Sequence, residues 1–288
     1  VLDAQHIDNE AKKLDKFYES VKRRADGIES AEAKQKIVVE LYDKFFRNAF
    51  PRMTERLGIV YTPVECVDFI IHSVNDILKQ EFNQELGDRN THIIDPFTGT
   101  GTFITRLMQS GLLTKEQLEY KYNLQDKTVN GEKIKTTELH ANEIVLLAYY
   151  IASINIEAVY HAIVGGKYQP FEGICLTDTF QLTERDEDLI TPQLEDNYHR
   201  RKIQKKLPIR VFIGNPPYSV GQSSGNDGNQ NLKYPRLDSS VENSYVKESN
   251  AGLSKSAYDS YVRAIRWASD RIDKYGIIGF ITNAGWID

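Results

Sequence analysis

The sequence predicts an α/β protein: a doubly wound parallel sheet with helices on both faces, preceded by an N-terminal helical region. Three observations predict it. From about residue 91, short strand-like apolar runs alternate with helix-like segments, and repeated β-α units bury a parallel sheet between two helical layers. One strand-to-helix connection, "DPFTGTGTF" (Asp95 to Phe103), is glycine-rich, which lets a backbone turn tightly and approach a ligand closely. The apolar run "IRVFIGN" stops at two prolines, which have no N–H to donate to a ladder.

Each element follows in order. Residues 1–55 carry two apolar stripes, Leu14, Phe17, Tyr18 and Val21, then Ile37, Val38, Leu41, Tyr42, Phe45 and Phe46, which read as helices with solvated charged faces. In "VYTPVECVDFIIHSVNDIL", Thr62 is the expected cap, Pro63 fits the first turn and Glu65 completes a capping box. Val64, Val67, Ile70, Ile71 and Val74 would face inward. "THIIDPF" is a buried strand and "GTFITRLMQSG" the helix after it. In "LTKEQLEYKY", Thr114 and Gln117 suit a second capping box. Asp126 to Lys135, with Asn130-Gly131, reads as a hairpin or loop. The strand "TTELHANE", the apolar helix "IVLLAYYIASINIEAVYH" and the strands "GICLTDTF" and "IRVFIGN" come next. An amphipathic helix ending in Gly276 precedes the last strand, "IIGFITN". Residues 219–256 are dominated by Gly, Ser and Asn and are expected to form a mobile loop.

Composition narrows the function classes. A chain of 288 residues with 40% hydrophobic and 27% charged residues is of ordinary globular type. No apolar run approaches the ~20 residues that span a membrane, and no secretory signal is visible at the N-terminus. The two cysteines, Cys66 and Cys175, argue against a disulfide framework or a metal centre and suit a cytoplasmic protein. A net charge of −5 offers no bulk attraction for nucleic acid. The basic run "HRRKIQKKLPIR", with Arg200, Arg201, Lys202, Lys205, Lys206 and Arg210, is the best candidate for phosphate contact, against the alternative of a solvated helix face. A first residue of Val, and an end just after a strand-like run, lead us to expect a fragment.

Four motifs can carry chemistry. Asp95 stands ahead of the glycines Gly99 and Gly101 at a strand end, where a carboxylate suits a cationic group and would repel a pyrophosphate. Glu143, at the tip of the second sheet strand, is placed to hold ribose hydroxyls, with Glu138 as competitor. Asp178, at the tip of the third, could accept an adenine amine. In "GNPPY", the Asn215 side chain and a proline carbonyl can accept both hydrogens of one planar amine, and Tyr218 can stack on the ring that bears it.

In this order the motifs resemble those of the S-adenosylmethionine-dependent, adenine-specific DNA methyltransferases. "GIVYTP", "YTPVECVDFIIHSVNDILKQEF", "DPFTGTGTFITRL", "ELHANEIVLLAYYIASINIE" and "GNPPYSVGQ" look closest to the methylase domain of type ISP single-chain restriction-modification enzymes. The resemblance implies a Rossmann-like class I methyltransferase domain over residues 56–288, lacking its C-terminal strands, with residues 1–55 as the end of a helical coupler. It implies that Tyr61, Thr62, Pro63, Asp95, Pro96, Thr98, Gly99, Gly101, Phe103, Glu143 and Asp178 bind S-adenosylmethionine, and that Asn215, Pro216, Pro217 and Tyr218 hold a flipped-out adenine of double-stranded DNA. It also implies nuclease, helicase and target-recognition domains on a longer polypeptide. Methylation of an amine of RNA or of a protein glutamine, or an inactive cofactor-binding module, stand as the other readings.

Overall fold

A computed structural model describes residues 62–184, 195–217, 234–248 and 258–283. The predicted N-terminal helices, Tyr61 and Tyr218 lie outside the described residues. The chain divides into two compact units, Val1–Val60 and Tyr61–Asp288, and the described residues all lie in the second.

Helix α1 (Val64–Phe82) buries Val67, Ile71, Val74 and Leu78 along one stripe. It ends at Asn83, whose left-handed backbone (φ 52°) returns its N–H to the carbonyls of Leu78 and Lys79. The predicted capping box does not form: Pro63 holds the cap position and no side chain caps the helix. Strand β1 (His92–Asp95) is buried throughout. Helix α2 (Thr102–Gln109) starts directly after Gly101, and α3 (Lys115–Tyr122) starts in the predicted Thr114–Gln117 capping box. Strands β2 (Gln125–Val129) and β3 (Glu132–Thr136) form a separate antiparallel hairpin. Its turn, Asn130 and Gly131, has positive φ at both positions (50° and 80°), the geometry that favours Asn-Gly.

Strand β4 (Leu139–Glu143), helix α4 (Leu146–Val164), strand β5 (Ile174–Leu176), helix α5 (Glu195–Lys206) and strand β6 (Ile209–Gly214) follow. Part of the expected loop is helical instead: α6 (Pro235–Val241) runs into a π-type turn, Glu242–Val246. Leu237 and Val241, one helical turn apart, are fully buried, and Glu184 accepts the amides of Arg236 and Leu237 at the helix start. Two apolar anchors and a borrowed cap outweigh the polar composition. Helix α7 (Ser260–Arg271) ends five residues before the expected Gly276. Gly276 has a packing reason, since a Cβ there would lie 2.9 Å from the Arg210 carbonyl. Strand β7 (Ile277–Phe280) closes the set.

The five sheet strands are parallel, in the order β5-β4-β1-β6-β7. Alternate residues feed two cores. Ile93, Val211 and Ile213 join Val67, Ile71, Ile104, Leu107 and Ile156 of α1, α2 and α4 on one face. Ile94 and Phe212 join Leu237, Ala264 and Trp267 of α6 and α7 on the other. The fold is the doubly wound sheet that the alternation predicts, with helices on both faces.

Candidate active site

In a parallel sheet all carboxyl ends share one edge. Here the strand order reverses at β1, whose neighbours β4 and β6 lead away in opposite directions. Ligands of open α/β sheets bind in the crevice at such a point. The tips of β1, β4 and β6 hold Asp95, Glu143 and Asn215 respectively.

Asp95 ends β1 and is 1% exposed. Its Oδ1 accepts from the Phe97 amide at 3.1 Å, while Oδ2 is buried without a hydrogen-bond partner. Burial pushes the carboxyl up to about 8, with Glu143 adding to the rise. Gly214 is the reason it fits: a Cβ there would stand 2.8 Å from Asp95 Oδ1. Gly214 belongs to the site without being part of the Asn-Pro-Pro-Tyr motif, and the "GN" ahead of the prolines is its signal in the sequence.

The turn after Asp95 is pinned from several sides. Thr98 donates its hydroxyl to the Asp95 carbonyl at 2.8 Å and its amide to the Asn142 carbonyl at 2.9 Å. The Pro96 carbonyl accepts from the Thr179 hydroxyl at 2.6 Å, and Thr179 in turn accepts from the Asn142 amide. Gly99 has φ 55°, with open space where a side chain would be. Gly101 (φ 90°) lies so close to Ala152 and Ile156 of α4 that a Cβ would meet them at 3.3–3.4 Å. Phe103, one residue into α2, is a core residue at 3% exposure, which accounts for an aromatic there without a ligand.

Glu143 closes the second side. Its Oε2 accepts from the Gly99 amide and its Oε1 from the Val145 amide, both at 2.8 Å, so the acid clasps the glycine turn to the start of α4. Burial pushes it up to about 7. The competitor Glu138 belongs elsewhere: it precedes β4, at the opposite edge, fully buried against Lys121 and Lys127. Asp178 follows β5. Its Oδ1 accepts from the Phe180 amide and its Oδ2 from the Tyr234 hydroxyl at 2.9 Å. Burial raises its pKa. Tyr234 was not singled out in the sequence, because nothing local links it to residue 178.

Asn215 follows β6 and donates its side-chain amide to Thr62 Oγ1 at 3.2 Å. Pro216 is buried and Pro217 exposed. The Gly214 carbonyl accepts from the Ile281 amide, which secures the strand end from the β7 side. Thr62, Asp95, Gly99, Glu143, Gly214 and Asn215 are thus tied to one sheet edge. The basic run is not: Arg210 is the second residue of β6, at the amino end, against the ring and carbonyl of Tyr275. Arg200 is paired with Glu172 and Lys206 with Glu132.

The sequence profile of the family described as N-6 DNA Methylase matches residues 33–251. No curated protein gives a significant match. Among solved structures, a nuclease-deletion mutant of the type ISP restriction-modification enzyme LlaGI, in complex with a DNA substrate mimic, is 50% identical with a TM-score of 0.80, over 96% of this chain and 21% of that one. The ATP-dependent type ISP enzyme LlaBIII bound to DNA is 51% identical (TM-score 0.80; 94% and 18%). The DrdV–DNA complex is 40% identical (TM-score 0.78; 96% and 26%). The chain spans about a fifth to a quarter of the length of these enzymes. With a profile match over most of the chain and a methyltransferase fold shared with type ISP enzymes, the chain belongs to the N-6 DNA methylase family.

Proposed function

We propose that this chain transfers a methyl group from S-adenosylmethionine to the exocyclic amine of an adenine flipped out of duplex DNA, as the modification part of a restriction-modification enzyme. The observation that carries the reading is the junction of β1 and β6, where the buried Asp95 abuts Gly214 and the next residue is Asn215.

The residues present fit the cofactor. A buried carboxylate oxygen without a partner is costly, and Asp95 Oδ2 is such an oxygen; an ammonium group would satisfy it. Each Glu143 oxygen already holds one backbone amide, and a carboxylate with about four acceptor sites keeps capacity for ribose hydroxyls. Asp178 would accept the adenine amine on its remaining lone pairs. Thr98, Pro96 and Gly101 would hold the turn in shape, with Gly99 presenting backbone to open space.

S-adenosylmethionine, when bound, supplies an electrophilic sulfonium methyl. The chain's task is then to orient an amine whose lone pair is delocalised into its ring. Asn215 Oδ1 and the Pro216 carbonyl would accept both amino hydrogens and favour a nitrogen whose lone pair is available for attack. Flipping the base costs a few kcal/mol, and stacking on Tyr218 would offset roughly 1–3 kcal/mol of it. The proton leaves after the methyl arrives, so no general base is required.

Amines of RNA or of glutamine would suit the same two oxygens; the family match favours DNA. Nuclease, helicase and target-recognition parts on one longer polypeptide are part of the proposal, supported by the share of the type ISP enzymes that the chain spans. Titration calorimetry with S-adenosylmethionine tests the reading, and a folded protein that takes up none of it overturns the assignment, the inactive-module alternative included.

A further inference from the structure

A groove of about 420 Å³ runs between the hairpin strand β3 and helix α5. It is lined by Glu132, Lys133, Ile134, Lys135, His199, Lys202, Ile203 and Lys206. Ile134 belongs to the core cluster beneath, Ile203 packs against that cluster, and the two form the apolar part of the groove. The rest is basic. On α5, His199, Lys202 and Lys206 recur at three- and four-residue spacing and share a face; on β3, Lys133 and Lys135 stand in the open. Glu132 is the one acid of the lining, and it is paired with Lys206. Among the described residues, no salt bridge engages Lys133, Lys135 or Lys202.

Two elements distant in sequence therefore place lysines along one concave surface of a chain whose net charge is −5. A solvated helix face explains lysines on α5 alone; it does not explain their convergence with those of β3. The place matters as well. β3 leads into the amino end of β4, and α5 into the amino end of β6, so the groove lies toward the sheet edge opposite Asn215. At about 3.3 Å per residue, strand β6 alone separates the two edges by roughly 15–20 Å, or some five base pairs of duplex at about 3.4 Å each.

We infer that this groove binds the phosphate backbone of nucleic acid, away from the base that is methylated and without regard to sequence. Lysines on both walls can replace condensed counterions, and the isoleucine floor can lie against sugar edges. The inference takes DNA as the natural ligand from the proposed function, but the two fail separately.

The experiment measures binding of a labelled duplex lacking adenine in one arm and a mixed-sequence duplex in the other, by fluorescence anisotropy over a series of salt concentrations. Wild-type protein is compared with Lys133→Gln/Lys135→Gln/Lys202→Gln and with Lys202→Glu alone. Each phosphate contact contributes about 0.9 to the slope of log affinity against log salt. The triple variant is expected to lower that slope by about 2–3 on both duplexes, with thermal midpoint and S-adenosylmethionine affinity unchanged; Lys202→Glu is expected to weaken binding at least several-fold. Slopes and affinities equal to wild type overturn the inference and leave the groove to an acidic protein surface or to solvent. Methylation that persists in such variants leaves the proposed function standing, whichever way the slopes fall.

Discussion

The side-chain amide of Asn215 donates to the hydroxyl of Thr62 across 3.2 Å, joining residues 153 positions apart. The link sets the tip of β6 against the start of α1. The contact identifies Nδ2 as the donating end of the amide, so that acceptance falls to Oδ1, the role an amine-gripping Asn215 requires. Thr62→Val keeps the shape and removes the hydroxyl. A neutral hydrogen bond is worth about 1 kcal/mol, so the single-turnover rate at saturating cofactor should fall roughly five- to tenfold, and Thr62→Ser should keep most of it. A Val variant as fast as wild type would remove Thr62 from any role in orienting Asn215.

Asp95 predicts a trade between stability and binding. Folding raises its pKa from 3.8 to about 8, so the folded, ligand-free protein binds the extra proton between those limits. Its contribution is intact below the unfolded value and is lost as pH rises through about 8. Asp95→Asn, which carries no charge, should therefore melt higher than wild type at pH 8.5, by a wider margin than at pH 6, while losing cofactor affinity. A variant melting below wild type at both pH values would contradict this.

The buried imidazoles act in the opposite sense. His92 Nδ1 and His140 Nε2 lie 3.0 Å apart on adjacent strands. Burial lowers His92 to about 4 and His140 well below its usual value. Their stability contribution is present above about 6.5, the unfolded value, and is lost as pH falls toward about 4. Because Asp95 works against this slope, the comparison must be between variants. Denaturant midpoints of His140→Phe should fall less steeply than those of wild type from pH 7 to pH 4.5, and parallel curves would refute the point.

Glu138 holds two lysines inside the protein. Its oxygens accept from Lys121 at 2.9 Å and Lys127 at 2.6 Å, and Lys121 and Glu138 side chains are fully buried. Removing one partner of a buried pair leaves an uncompensated charge and costs about 3–5 kcal/mol. Chemical denaturation of Glu138→Ala should show a loss of that order, with cofactor affinity of any folded fraction retained. A loss under about 1 kcal/mol would mean that water reaches Lys121.

These residues also show what the sequence made legible. The succession of strands along the chain and the acids at their tips were readable because helix-like segments separate short strand-like runs that end in an acid, as in "HIID" and "LHANE". Choosing Glu143 over Glu138 followed from position alone, since only the later acid reaches the carboxyl edge. What failed was pairing at long range. Thr62 carries every local mark of a helix cap, yet its hydroxyl accepts from Asn215 and the helix starts uncapped. The residues now in α6 look like loop, because their helix depends on two buried side chains and on Glu184 far upstream. Gly214 looks like one more strand residue until the Asp95 carboxylate is set beside it. Tyr234 is invisible as a partner of Asp178 for the same reason.

The central claim is that Asn215 grips the amine while Asp95 and Glu143 hold the cofactor. The most direct test is transfer of a labelled methyl group from S-adenosylmethionine to the N6 position of adenine in duplex DNA, for wild type and Asn215→Ala, with cofactor affinity measured on the same samples. Transfer by wild type and none detectable by the variant, at nearly equal cofactor affinity, is the expected result. Equal rates for the two proteins would contradict it.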